Sequence, residues 1–302
     1  MPVHPINLLT RAVCQSPWVI APPINFPWVF YGFRRASAGP YKYLTKKNLV
    51  YASTPNGPLR LDLFLPQGAG EKTPGVLMIH GGGWETGSKS LHRGFGRLLA
   101  SHGFLAAALD YRLLPMSPWP ACLDDCRTAL KWLRAHAATI GLDPKRLALL
   151  GDSAGAHLAA MLALETSPAD YAVRGVVAYF GPFDLTQPAI GRWPRNCQKH
   201  LLGGSLSDPS VRARAESISP VRLVTKEAPP FLLIHGEIDV VVPFASSARM
   251  AEALAGAGAS AEVIMVKRAD HGLLSLGRIE PSLAEIDRVS VEFIKKITAA
   301  ER

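Results

Sequence analysis

Cysteine is scarce in this chain: four in 302 residues, at Cys14, Cys122, Cys126 and Cys197. Their spacing matches no disulfide framework and no C-x-x-C metal pattern. Cys122 and Cys126 stand four apart in a predicted helix, but no nearby histidine or third cysteine completes a ligand set. They read as buried free thiols, no metal is expected, and a reducing, cytoplasmic compartment follows. Charge is sparse too, at 19% of residues, and no basic run exceeds two residues. The balance of 33 Lys and Arg against 24 Asp and Glu leaves +9. Spread this thinly, that excess reads as a basic, soluble surface. It lacks the basic and aromatic stripe that single-strand binders need, so no nucleic-acid partner is expected. There is no internal repeat and no low-complexity tract. With 48% hydrophobic residues the chain can bury a sizeable core, which excludes disorder, collagen and coiled coil.

One absence is local. No residue from Ala12 to Phe33 is charged, a window long enough to span a bilayer. Pro17, Pro22, Pro23 and Pro27 would break a spanning helix repeatedly, and lipid cannot satisfy the freed backbone groups. A transmembrane helix is rejected, and without a closing A-x-A site a signal peptide fits poorly. Trp18, Phe26, Trp28, Phe30, Tyr31 and Phe33 crowd this stretch, so something must cover it. Residues 1–45 are set apart as an N-terminal segment that caps an apolar pocket or makes a membrane-surface or subunit contact, a homo-oligomer included.

From residue 46 to 302 the pattern is regular and reads as one domain. Asn48–Ser53 and Leu59–Leu65 form a hairpin through Pro55-Asn56-Gly57-Pro58. Strands are expected at Gly75–His80, Leu105–Asp110, Leu147–Gly151, Val173–Phe180, Phe231–His235 and Ala261–Val266. Helices fall at Leu91–His102, Cys122–Thr139, Ala154–Glu165, Phe244–Ala255 and Leu283–Ile297. Apolar strands alternating with amphipathic helices imply an α/β fold: a mostly parallel sheet covered on both faces, with the hairpin at one edge. Residues 186–228 make a connection too long for a simple crossover and are expected to cover part of the sheet.

Two glycine motifs carry the chemistry. Gly151-Asp152-Ser153-Ala154-Gly155 follows an apolar strand and opens a helix, the setting of a nucleophile elbow. His80-Gly81-Gly82-Gly83-Trp84 follows another strand and is far rarer by chance. Acyl transfer builds negative charge on a carbonyl oxygen, and glycine lets backbone N–H groups approach it. Gly82, Gly83 and Ala154 are the expected oxyanion donors, and Trp84 a candidate substrate contact. A serine needs a base. Of nine histidines, His271 stands in a late loop off the last strand, the one placed to reach Ser153. His157 reads as structural, and His80 and His235 as braces of loops. A carboxylate must orient the base. Asp239, beyond the strand Phe231–Ile234, is preferred, with Asp184 as rival and Asp270 too close in sequence to face His271 well.

Together H-G-G-G-W, G-D-S-A-G and the run His235-Gly236-Glu237-Ile238-Asp239-Val240-Val241-Val242-Pro243 resemble the α/β-hydrolase carboxylesterases, close to the hormone-sensitive-lipase and feruloyl-esterase-like branch. Asp110-Tyr111-Arg112-Leu113 and Leu202-Gly203-Gly204-Ser205 also look like that branch. The resemblance covers about residues 46–298. It implies an α/β-hydrolase fold with a small cap from the N-terminus and residues 186–228. It also implies hydrolysis of small-molecule carboxylic esters, often short-chain, without metal or cofactor. The roles carry over onto Ser153, Asp239, His271, Gly82, Gly83 and Ala154. An arylformamidase-type amide hydrolase shares this machinery and stays open, as does a non-catalytic binding protein on the same fold. Nucleotide binding is set aside. The P-loop-like Gly82–Ser90 has one residue too many before Lys89, and the Gly256–Ala261 fingerprint follows a helix instead of a strand.

Overall fold

The computed structural model describes residues 39–68, 72–165, 173–189 and 192–300. The aromatic segment before residue 39, and whatever it caps or contacts, lies outside the described residues. An eight-stranded sheet organises the rest, in the order β1-β2-β4-β3-β5-β6-β7-β8. Its strands are β1 (Tyr43–Thr54), β2 (Gly57–Pro66), β3 (Thr73–Ile79), β4 (Leu105–Leu109), β5 (Leu142–Asp152), β6 (Val176–Tyr179), β7 (Phe231–Gly236) and β8 (Ala261–Val266). β1 and β2 pair antiparallel across the two-residue turn Pro55-Asn56, with Thr54 opposite Gly57, and β2 runs antiparallel to β4. All later pairings are parallel. The hairpin therefore sits at one edge, as its turn signal and the parallel run after it imply.

Eight α-helices lie among the described residues: α1 (Arg93–Ser101), α2 (Ala121–Ala135), α3 (Ala137–Ile140), α4 (Ala154–Leu164), α5 (Arg192–Leu202), α6 (Pro209–Ser217), α7 (Ala245–Gly256) and α8 (Leu283–Ile297). Strand alternation feeds two cores. Leu77 and Ile79 of β3 face one, with α2, α4 and α7, while Val76 and Met78 face the other, with α1 and α8. Each large aliphatic side chain so buried contributes about 1.5–3 kcal/mol. That is why the strand segments are continuously apolar. α4 is apolar on every side because the sheet, α2 and the covering excursion enclose it. α8 starts on a capping box, in which Ser282 Oγ accepts from Glu285 N and Glu285 Oε2 accepts from Ser282 N.

The single helix expected over Cys122–Thr139 is broken. α2 ends at Ala135, and the short α3 is closed by Gly141 at φ 72°. β5 begins at Leu142, five residues before the expected start, because Leu142 pairs with Thr73 across an irregular step in the ladder. The excursion holds α5, α6 and a 3-10 turn at Pro220–Arg222. Cys197, Leu201, Leu202, Val211, Ala215 and Ile218 from it join the core around α4, so it does cover that side of the sheet. No helix among the described residues is long and apolar enough to cross a membrane.

Parallel register brings the loops that matter to one edge. Ile79 pairs with Gly151, Asp152 with Tyr179, and Gly236 with Val266. The segments leaving the C-terminal ends of β3, β5, β7 and β8 therefore emerge side by side, where open α/β sheets bind ligands.

Candidate active site

Ser153 sits between β5 and α4 with φ 50° and ψ −119°, a conformation that L-residues avoid and that costs about 1–3 kcal/mol. The residues two positions to either side of it must be glycine. A Cβ on Gly155 would lie 1.9 Å from Ile79 O, and one on Gly151 would lie 2.3 Å from Gly155 O. The strained turn is anchored by Ser153 N donating to Tyr179 O at 2.8 Å, and Ser153 O accepts from Ala156 N at 3.0 Å as the helix begins. The hydroxyl is thereby held above the first turn of α4.

His271 and Asp239 meet it there. His271 Nε2 is 3.1 Å from Ser153 Oγ, and His271 Nδ1 is 2.7 Å from Asp239 Oδ2. Burial pulls the His271 pKa down. The Asp239 charge and hydrogen bond outweigh that effect, with help from Asp270 and Asp152, so the net shift is upward. Burial pushes the other way on Asp239, yet His271 and His235 hold its carboxyl well below the usual carboxylate range. Asp239 Oδ1 accepts from the N–H groups of Val241 and Val242 at 2.9 and 2.8 Å, which explains the tight apolar turn after it.

The rival acids go elsewhere. Asp184 Oδ1 accepts from Thr186 N and Oγ1, and its Oδ2 lies 3.6 Å from Arg249 Nε. Asp270 Oδ1 accepts from Val240 N at 3.0 Å and His271 N at 2.7 Å, so it braces the two loops against each other.

The glycine loop after β3 takes three consecutive left-handed residues: Gly82 at φ 119°, Gly83 at φ 62° and Trp84 at φ 61°. Gly82 O collects Glu85 N, Thr86 N and Thr86 Oγ1, and a Cβ on Gly82 would lie 2.2 Å from Thr86 O. Among the described residues no group accepts from the N–H of Gly82, Gly83 or Ala154. Ala154 opens α4, whose N-terminal dipole favours negative charge.

A connection that the motifs do not reveal locks this loop to the elbow. Asp152 Oδ1 accepts from Gly81 N at 3.0 Å and from His92 Nε2 at 2.7 Å. Burial raises the Asp152 pKa, but the hydrogen bond and charge of His92, with His80 and Gly81, bring it net below the ordinary value. His80 stacks on Tyr111 at 4.2 Å, and burial drops its pKa to about 4. His157 is buried beneath the elbow, pushed to about 4 by desolvation, and its neutral ring donates from Nε2 to Ile218 O at 2.8 Å. Trp84 stands edge-on to it at 5.3 Å.

A cavity of about 390 Å³ opens at Ser153, walled chiefly by Trp84, Leu185, Pro188, Cys197 and Val241, with Asp184 and Arg249 its charged lining residues. Trp84 thus lines the same space as the serine. Gln198 of α5 fastens the cover: its Oε1 accepts from Ala189 N, and its Nε2 donates to the carbonyls of Leu185 and Gln187.

A sequence model of the BD-FAE family matches residues 61–254. Esterase LipQ of Mycobacterium tuberculosis is 32% identical over 204 residues, 63% of this chain and 48% of that protein. The isoprenylcysteine alpha-carbonyl methylesterase ICME of Arabidopsis thaliana is 30% identical over 244 residues, 75% of this chain and 56% of that protein. This chain therefore spans about half the length of these curated relatives. Among solved structures, a thermophilic Thermogutta terrifontis esterase with butyrate bound superposes with a TM-score of 0.68 at 26% identity, covering 85% of this chain and 94% of that one. The fold is that of the α/β-hydrolases, and the chain belongs to the BD-FAE family.

Proposed function

We propose that the protein is a serine carboxylesterase that hydrolyses short-chain carboxylic esters through an acyl-enzyme. The observation that carries this reading is the hydrogen-bonded line Ser153 Oγ, His271 Nε2, His271 Nδ1, Asp239 Oδ2, at 3.1 and 2.7 Å, ending on a strained serine. His271 takes the hydroxyl proton as Oγ bonds to the ester carbonyl carbon. The carbonyl electron pair moves onto oxygen, which the N–H groups of Gly82, Gly83 and Ala154 receive. The tetrahedral species collapses, the alkoxide leaves with the proton from His271, and the acyl group stays on Ser153. Water then attacks through the same steps and releases the acid. Asp239 remains ionised throughout and steadies the imidazolium.

The esterase names of the relatives support the reaction class. A cavity of about 390 Å³ with mostly apolar walls supports a small acyl group, and Trp84 would pack against it. The test is turnover of p-nitrophenyl esters from acetate to dodecanoate, with an aryl formamide added to separate ester from amide preference. Short esters are expected to turn over fastest. Ser153→Ala should lower kcat by about four to six powers of ten. Near-normal turnover by that variant removes the proposal.

A further inference from the structure

The acid of the site carries two imidazoles, and the mechanism uses only one. His235, the penultimate residue of β7, is fully buried, and its Nε2 lies 3.3 Å from Asp239 Oδ2, the oxygen that also bonds His271. The same Nε2 is 2.7 Å from Val242 O, and Nδ1 is 2.8 Å from Ser247 Oγ. A carbonyl only accepts, so a proton must sit on Nε2, where Val242 O accepts it and the Asp239 carboxylate lies 3.3 Å away. Nδ1 faces the Ser247 hydroxyl on the other side of the ring. His235 is therefore held with its Nε2–H on Val242 O and beside Asp239 Oδ2. Phe244 stands edge-on to the ring at 5.9 Å and limits its tilt.

We infer that His235 is a positioning residue of the triad: its shared N–H divides the Asp239 carboxylate between two rings and so sets how firmly Asp239 holds a proton on His271. The inference rests on the esterase reading for its kinetic part only. Removing the donor leaves more of the carboxylate's charge for His271, which strengthens the imidazolium. The charges that act most on His271 are Asp239 from the loop after β7, Asp270 from its own loop and Asp152 from β5. The uncharged Phe180, just after β6, stands 4.9 Å from His271, and α7 presents Ser247 to His235. The leading influences that favour the charged form of Asp239 come from His271 and His235.

The experiment compares the full chain with His235→Leu, which removes the donor, His235→Gln, which returns an N–H, and Ser247→Ala, which weakens the donor from behind. The midpoint of His271 is read by NMR of labelled imidazole, and the pH profile of kcat/KM is measured with p-nitrophenyl acetate. In His235→Leu the midpoint should rise by about half a unit or more. Its kcat should fall about tenfold from the loosened acid, with KM within about twofold of wild type. His235→Gln should bring the midpoint back toward wild type, and Ser247→Ala should give a smaller rise in the same direction. An unmoved midpoint in His235→Leu, or equal loss in the Gln and Leu variants, overturns the inference. If His235→Leu does not fold, an unmoved midpoint in Ser247→Ala overturns it instead. A wild-type chain that turns over no ester, while the His271 midpoint still moves as described, removes the esterase reading and leaves the coupling standing.

Discussion

Asp152 has no place in the proton relay, yet the structure makes it the joint between nucleophile and oxyanion loop, and its truncation has a calculable consequence. In Asp152→Ala two donors, Gly81 N and His92 Nε2, lose the single oxygen Oδ1 that accepts both. A buried donor left unmade costs about 1–3 kcal/mol, so a closed site would lose about 2–6 kcal/mol. The Asp152 side chain is 19% exposed, so water can reach part of the gap, and the lower half of that range is expected. Asp152→Asn keeps an oxygen where both donors point and gives up only the charge, which should cost about 1 kcal/mol. Activity should fall more steeply than stability. Without the tie Gly81 is free to shift, and Gly82 and Gly83 shift with it. Losing one oxyanion donor costs about two to three powers of ten in kcat. Urea unfolding and kcat on p-nitrophenyl acetate, measured on the same preparations, check both parts. The expected order of kcat is wild type, then Asp152→Asn, then Asp152→Ala, with KM little changed. Asp152→Ala with kcat within twofold of wild type would refute the reasoning.

Other expectations follow from the same geometry. Asp239→Asn should cripple turnover while Asp184→Asn leaves kcat within a few-fold, because Asp239 and not Asp184 bonds His271; pH-matched kcat values decide, and the reverse ranking moves the role to Asp184. His271 must be neutral to accept the serine proton, and its pKa is raised, so kcat/KM should climb with pH through a midpoint above the free imidazole value of ~6.5 and then level off. A flat profile from acid to alkaline pH argues against a histidine base. Gly155→Ala puts a Cβ 1.9 Å from Ile79 O, a backbone atom in the sheet, so it should lower thermal stability and abolish turnover together. A Gly155→Ala protein with wild-type Tm and kcat contradicts the packing at the elbow.

Much of this arrangement is legible in the sequence because it is written in short-range terms. Continuous apolar runs mark strands buried on both faces, as the two cores flanking β3 bear out. The glycines around Ser153 are demanded by contacts with Ile79 O and Gly155 O, so they stand out as a motif. Asp239 and His271 are separable from their rivals because each leaves the C-terminal end of a late strand. What escapes is long-range or lies against the pattern. His92 has no context of its own in the sequence, since its partner Asp152 is 60 residues away. His235 reads as a loop brace, and only the folded turn shows it reaching the acid four positions on. The start of β5 is hidden by the polar stretch Asp143-Pro144-Lys145-Arg146, which interrupts the apolar run that marks the strand. The end of α2 is hidden because the residues past Ala135 are as helix-prone as those before it.

The central claim is that Ser153 is a nucleophile, and the most direct measurement is the site of covalent modification by an organophosphate ester such as diethyl p-nitrophenyl phosphate. The serine Oγ should displace p-nitrophenolate and carry the diethylphosphoryl group. Intact-mass analysis should then show one adduct per chain, and peptide mapping should find it on Ser153, with none on Ser153→Ala and slow labelling of His271→Ala. An adduct that persists in Ser153→Ala, or a wild-type chain that remains unlabelled while folded, would contradict the account.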